Sequence, residues 1–339
     1  MSLAVIPQDL TDPTRGPLLM QVAEPDILSA LLRDIRVTRS LQYCFESRGA
    51  WIVDATPAPF RPPGSVSFHV VVEGDIWIDV EQRFQVTPGD VLIFPRGKTH
   101  WIGSGQGGVL IDPGSDLPPT PWATMPVLRY AGNGAPCRII CGFIEARVLD
   151  FAPLLAALPD VMIARIGDKR DDWLAAAVRQ LSREADRPLP GGLAITARLS
   201  EIIFIELLRR EMSKARSQTT GWLSAVTDPT IQRALNLLHA HPSESWTQRA
   251  LAASVGVSKT VLCARFQAML SMSPMQYLRE WRLYLASARL VETDDPIVKI
   301  SEDAGYGSEA TFSRAFSRSF GAPPARWRKT SGARQIGGG

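Results

Sequence analysis

The last third of this chain carries one pattern twice, and that duplication limits what the rest of the protein can be. The first copy spans Leu251 to Phe266 and the second Ile300 to Phe316. Each reads as a short apolar helix, a glycine (Gly256, Gly305) where the turn calls for positive φ, and a serine N-cap (Ser258, Ser308) opening a second helix. That sequence of parts is a helix-turn-helix. In the first copy Leu262, Phe266 and Met269 recur at helical spacing and turn Lys259, Thr260, Cys263 and Ala264 outward. In the second, Phe312, Ala315 and Phe316 face inward and leave Glu309, Ala310, Ser313 and Arg314 outside. Such a second helix lies in a DNA major groove with its N-terminal residues on base edges, so these residues and Ser258 are the candidate DNA contacts. Pro274 to Glu292 reads as one long helix between the copies, a spacer with Leu278, Trp281, Leu285, Ala288 and Leu290 on its buried side. The alternative is a helical bundle in which the motif is only packing. Matching glycine, serine and aromatic positions in two copies argue against it.

From Trp222 to Arg328 the chain resembles the AraC/XylS family of transcriptional regulators. The likeness is densest over Ala304-Gly305-Tyr306 to Phe316, Phe320-Gly321-Ala322-Pro323-Pro324 and Trp327-Arg328. In that family the first motif's outward face often carries larger polar residues than Thr260, Cys263 and Ala264. The resemblance implies double-stranded DNA as partner, an N-terminal domain that senses a small-molecule effector or mediates dimerisation, and an activator of nearby genes, with RNA polymerase as a further partner. Arg326, Arg328 and Lys329 are expected at phosphates.

Charge agrees with this division. Residues 1–150 hold 12 basic against 16 acidic side chains, net −4; 151–221 are net +2 and 222–339 net +5. The basic end is the one with the paired motif, as phosphate contact requires. Four cysteines in 339 residues suggest no disulfide scaffold. The first residues carry Asp9, Asp12 and prolines in place of a basic segment and apolar run, so no secretory signal is read there. No apolar stretch approaches the ~20 residues of a membrane span. The expectation is a cytoplasmic protein.

Ahead of the helical part, short β segments alternate with Pro and Gly: Trp51–Val53, Ser67–Val72, Ile76–Val80, Arg83–Val86, Val91–Phe94 and Val109–Ile111. Strands at such spacing predict a sandwich or barrel, for which a jelly roll is one answer. Gly89-Asp90-Val91-Leu92-Ile93-Phe94-Pro95-Arg96-Gly97-Lys98-Thr99-His100 resembles the second cupin motif, and Phe68 to Gly74 the end of the first. Metal cupins place two histidines and a glutamate in the first motif. Here the glutamate position falls on Ser67 and the histidine pair among Arg61–Gly64. His69 and His100 remain, and two nitrogens are a poor site for a transition metal. They are the candidate effector-pocket residues, with no metal and no cofactor expected. Cys137 and Cys141, four apart on a late strand, point to one face, as small buried hydrophobes or as a redox or metal pair.

Helical texture follows Asp150, with helices expected at Phe151–Leu158, Asp172–Ala185 and Ala194–Met212. The last is apolar nearly all round and must be covered on both sides, either within the chain or by a second subunit in a homodimer. The expected architecture is α+β and multidomain: an arm (1–25), with a helix at Asp26–Arg33 opening the next part; a cupin-like β-barrel or jelly roll (26–150); a helical connector (151–212), a candidate for dimerisation; a linker (213–221); an all-α DNA-binding domain with two helix-turn-helix motifs (222–330); and a disordered tail (331–339). No phosphate loop, nucleophile elbow or H-E-x-x-H motif is present. The reading is therefore a regulator with no catalytic residues. Its rival is a metal-dependent cupin enzyme with DNA-binding units attached.

Overall fold

The computed structural model describes residues 37–55, 65–165, 173–215 and 221–336. The arm and the helix at Asp26–Arg33 lie outside these residues, as do 216–220 of the linker and 337–339.

The β domain is two facing sheets. Its strands are β1 (Val37–Arg48), β2 (Trp51–Asp54), β3 (Ser65–Glu73), β4 (Ile76–Asp79), β5 (Arg83–Val86), β6 (Val91–Phe94), β7 (Trp101–Ser104), β8 (Val109–Ile111), β9 (Val127–Arg129), β10 (Pro136–Ala146) and β11 (Met162–Ala164). One sheet has the order β11-β6-β3-β10-β1-β9 and the other β5-β4-β7-β2-β8. Most pairings are antiparallel, but β9 joins β1 and β8 joins β2 in parallel at the edges. The alternation of side chains divides two cores. Phe45, Trp51, Val71, Ile78, Phe94 and Ile139 fill the space between the sheets, while Val66, Phe68, Val70, Ile93, Ile140 and Ile144 face out from the larger sheet and are buried too. A sheet covered on both faces needs near-continuous apolar runs. In β3 the first seven residues are buried, His69 and two serines among them.

The outer cover is helical. A one-turn helix α1 (Pro113–Asp116) lies in the β8–β9 connection; α2 (Ala152–Ala157), α3 (Trp173–Asp186) and α4 (Gly192–Ala215) follow the sheets. Helix α4 buries Ile203, Phe204, Leu207 and Leu208 within the chain, and leaves Ile195 at 44% and Ile202 at 45% exposure. Buried Gln42 on β1 reaches the Ser200 hydroxyl (2.6 Å) and the Thr196 carbonyl (3.0 Å), pinning α4 to the sheet.

The C-terminal helices are α5 (Trp222–Ala225), α6 (Pro229–Ala240), α7 (Gln248–Ser254), α8 (Lys259–Leu270), α9 (Pro274–Glu292), α10 (Ile297–Asp303), α11 (Glu309–Phe320) and α12 (Pro324–Ile336). Asp228 caps α6, with proline at the first helical position and backbone donors at 2.9 Å. Ser273 and Gln276 close a capping box on α9. Helix α12 runs through residues 331–336, which the sequence reading assigned to a disordered tail. Among the described residues no helix is long and apolar enough to cross a membrane.

Candidate nucleic-acid interface and barrel cavity

Helix α9 serves two cores. Its first turns give Tyr277, Leu278, Trp281 and Tyr284 to the core of the first helix-turn-helix; its later turns give Leu283, Ala286 and Leu290 to that of the second. Polar ties cross at the same places. Arg282 donates to the Pro242 carbonyl (2.6 Å) and the Glu244 carbonyl (2.8 Å) in the α6–α7 loop, and its guanidinium also lies under Gly305, where a Cβ would come within 2.6 Å of it. Gly305 has φ +78°, so its turn needs glycine twice over. Arg289 pairs with Asp303 at 2.6 Å and with Asp295.

Each second helix starts from its serine. Ser258 accepts from Val261 N at 3.2 Å and Ser308 from Thr311 N at 3.3 Å. Leu262 and Phe266 in α8, and Phe312 and Phe316 in α11, are fully buried. The inward face of α8 is completed by Leu270, with Met269 only partly covered. Ser258, Lys259, Thr260 and Ala264 are exposed and Cys263 is half-buried; Glu309, Ala310 and Arg314 are exposed and Ser313 is half-buried. Among the described residues the Arg314 guanidinium meets the Thr311 hydroxyl of its own helix, at 3.4 Å. Exposed Arg318, one turn beyond Arg314, and exposed Gln267, one turn beyond Cys263, extend these faces. Spacing of four could have picked out both.

Arg326 and Lys329 are exposed, but Arg328 is not free for a phosphate. It donates to the Leu290 carbonyl at 3.1 Å and the Asp295 carbonyl at 2.5 Å. It thus satisfies the open end of α9 and fastens α12 to it, a correction to its expected role.

In the β domain, strand register places Tyr43, Cys141 and His69 side by side on β1, β10 and β3, facing the second sheet. His100 enters from the β6–β7 connection, stacked on Phe94 at 3.5 Å between ring centroids. His100 Nδ1 is 2.8 Å from the Lys98 carbonyl, and the two Nε2 atoms of His69 and His100 are 2.8 Å apart. His69 Nδ1 is 3.2 Å from Cys141 Sγ. A carbonyl only accepts, so His100 carries a proton on Nδ1, and as a neutral imidazole it accepts at Nε2. His69 therefore donates from Nε2, and its Nδ1 accepts from the Cys141 thiol. The Tyr43 hydroxyl bonds Cys141 in turn. Burial and then His100 hold the His69 pKa well below its usual value, and burial raises those of Tyr43 and Cys141. Tyr43, His69 and Cys141 are thus held in their neutral forms. With the His69 and His100 lone pairs taken by neighbours, these residues do not fit a metal. Among the described residues no three His, Cys, Asp or Glu side chains are placed to hold one.

His69, Tyr43 and Cys141 wall a cavity with Phe45, Trp51 and Ile102; His100 stands behind His69 and does not line it. Its volume of about 10 Å³ has room for about one water. Cys137 lies on the same inward face, its thiol pushed up to about 12 by burial.

A second neutral histidine joins the two domains. Phe151, the residue before α2, lies edge-on to His239, Tyr277 and Trp281, with centroids 6.2, 5.6 and 5.4 Å away. His239 stacks on Trp281 at 3.8 Å. Its Nε2 is 2.9 Å from the Tyr277 hydroxyl and its buried Nδ1 has no partner among the described residues. Although the ring is only half-buried, both nitrogens are shielded, and burial pulls its pKa down to about 3. In the unfolded chain His69 and His239 each take a proton near pH 6.5. The unfolded state then binds more protons, so stability is full above pH ~6.5 and falls as pH drops, toward pH ~3 for His239, by ~1.4 kcal/mol per unit per histidine. Urea unfolding between about pH 7 and pH 5 should show this fall, with a shallower slope for His239→Gln; equal stability at both ends would refute it.

A double-sheet β domain covered by helices and leading into two helix-turn-helix units on one spacer defines a sequence-specific DNA-binding transcription regulator. A model of the cupin family matches residues 26–213 and one of a helix-turn-helix domain residues 251–330. A Streptomyces lividans protein described as an AraC-like transcription regulator is 28% identical over 314 residues, 90% of this chain and 98% of that protein. The HTH-type transcriptional regulator AlkR of Acinetobacter baylyi is 26% identical over 313 residues, 90% of this chain and all of AlkR. The regulatory protein SoxS of Salmonella typhimurium is 34% identical over 98 residues, 29% of this chain and 92% of SoxS. The chain belongs to the AraC/XylS family of transcriptional regulators, with a cupin as its N-terminal domain.

Proposed function

We propose that the protein is a cytoplasmic activator that binds DNA as a homodimer under control of a small-molecule effector held in the cupin domain, without catalytic activity of its own. The observation that carries this reading is the pair of bare polar helix faces, on α8 and α11, held by one helix that belongs to both cores. Ser258, Lys259, Thr260, Cys263 and Ala264 face one groove segment, and Glu309, Ala310, Ser313 and Arg314 the next, with Gln267 and Arg318 at their far ends. Arg326 contacts a phosphate. RNA polymerase is the partner of an activator so placed on DNA. The dimer forms through the outward stripe of α4, at Ile195 and Ile202. In the cupin domain the effector enters past His69, with His100 fixing the tautomer of its neighbour; the cavity must widen to admit it. Regulation follows if the effector binds one arrangement of the protein more tightly than another.

Footprinting on the DNA flanking the gene tests the reading, and protection of two sites, one per subunit, is the mark expected of the dimer. Arg314→Ala should relax sequence preference at one or two adjacent base pairs, at a cost of ~1–3 kcal/mol. Unchanged preference at every position of the footprinted site would remove Arg314 from base reading.

A further inference from the structure

The cavity beside His69 holds about 10 Å³, and the outer face of the larger sheet has a roomier concavity. Helix α3 crosses that face and leaves, between itself, the end of β3 and the β5–β6 turn, a groove of about 460 Å³. This lies within the range of small-molecule sites, about 300–1,000 Å³. Its apolar walls are Val72, Pro88, Ala175 and Val178, and its rim carries Arg179 and Arg183.

The two arginines are one helical turn apart on the same side of α3, both exposed. No acidic side chain among the described residues pairs with either. The neighbouring helix is arranged otherwise. On α4, Arg198 pairs with Glu201 at 2.8 Å, Arg210 with Glu206 at 3.0 Å and Lys214 with Glu211 at 2.6 Å, each within one turn. The acids near Arg183 are engaged elsewhere. Asp186 pairs with Arg138 on β10 at 2.7 Å. Glu184 is turned inward, accepting from Gln180 at 2.8 Å. Like charges one turn apart repel, and among the described residues no anion bridges this pair. A guanidinium is the side chain best suited to take a carboxylate by two parallel hydrogen bonds.

We propose that this groove is a binding site for a small organic carboxylate, its charged end held by Arg179 and Arg183 and its apolar body against Val72, Pro88, Ala175 and Val178. The site lies on the opposite side of the sheet from the barrel cavity and does not depend on the effector reading given above. A ligand there touches α3 and the sheet together. It therefore fastens the connector to the cupin domain, in the layer whose apolar core continues into the DNA-binding helices.

The test uses the full chain, with octanoate and benzoate as probes, octanamide and benzamide as their uncharged counterparts, and inorganic phosphate as a bare anion. Thermal melting and titration calorimetry should show stabilisation and binding by at least one carboxylate, and none by its amide or by phosphate. The double variant Arg179→Gln/Arg183→Gln, altered only at exposed positions, should keep the unliganded melting temperature and lose at least about tenfold in carboxylate affinity. His69→Gln, which alters the barrel cavity, should leave carboxylate affinity unchanged. No binding by either carboxylate, equal binding of acid and amide, or undiminished affinity in the arginine variant would each overturn the proposal. Loss of binding in His69→Gln with retention in the arginine variant would place the ligand in the barrel. That result would sink the groove and support the effector reading.

Discussion

A DNA site with half a helical turn inserted between its two blocks should lose tight binding by one subunit. Successive major-groove segments on one face of the duplex lie about 34–36 Å, or 10–10.5 bp, apart. The 19 residues of α9 give a spacer of about 28 Å at 1.5 Å per residue, and each recognition helix stands off its end by its own packing distance. The spacing is stiff because α9 contributes to both cores and because Arg282 and Arg289 lock the adjoining loops. An insertion of about 5 bp rotates one block to the far side of the duplex. The protein then has to release one recognition helix or break its own core. Losing one reading head of a few good base contacts should weaken binding by about 100-fold or more, since each contact is worth ~1–3 kcal/mol. Affinity measured on the inserted site and on the parent site at one salt concentration decides it. Equal affinities would mean that one helix-turn-helix is structural only, and α8, with its small Thr260, Cys263 and Ala264, would be that one.

The second large effect is expected at Phe151. Its ring is fully buried and packs edge-on to His239, Tyr277 and Trp281, with Tyr284 5.7 Å away. Nearby Arg147 pairs with Glu292 at the end of α9, at 2.7 Å. The ring is therefore a contact between the cupin domain's exit and the spacer helix itself. Truncating a buried phenylalanine costs about 3–5 kcal/mol, and here the loss falls on the seam between the domains. Phe151→Ala should split thermal unfolding into two transitions, or lower the melting temperature by several degrees, and should weaken any effector's influence on DNA binding. A variant that melts as the parent does, in one transition at the same temperature, would show that the domains are held together elsewhere.

How far the chain could be read without its fold differs from element to element. The spacer helix is found at the predicted Pro274–Glu292 because its signals are local: the Ser273 cap just before it, proline at its first position and an apolar period along it. The turns at Gly256 and Gly305, with φ +73° and +78°, were equally local. Strand β1 was missed. Its sequence, Val-Thr-Arg-Ser-Leu-Gln-Tyr-Cys-Phe-Glu-Ser-Arg, puts Gln42 on a buried face and has no clean alternation, because it lies between β10 and β9 in a sheet covered on both sides and pairs across about 100 residues with β10. Helix α4 left a choice between an internal and an intersubunit helix. The fold shows Ile203, Phe204, Leu207 and Leu208 covered by the chain itself, with Ile195 and Ile202 open.

The sequence by itself therefore determined what depends on neighbours a few residues away: the paired helix-turn-helix units, their caps and turns, the outward faces of α8 and α11, and the alternating β segments of the N-terminal half. Only the tertiary structure decided what depends on distant partners. It joined His69 to Cys141 and His100, turned Arg328 from phosphate to carbonyl, set Phe151 among the aromatic rings of the DNA-binding domain, and brought Arg179 and Arg183 to the rim of a groove with no acidic partner among the described residues. The physical reason is that helix periodicity and capping are satisfied within one or two turns, whereas a buried polar side chain must find its partner wherever the fold brings one.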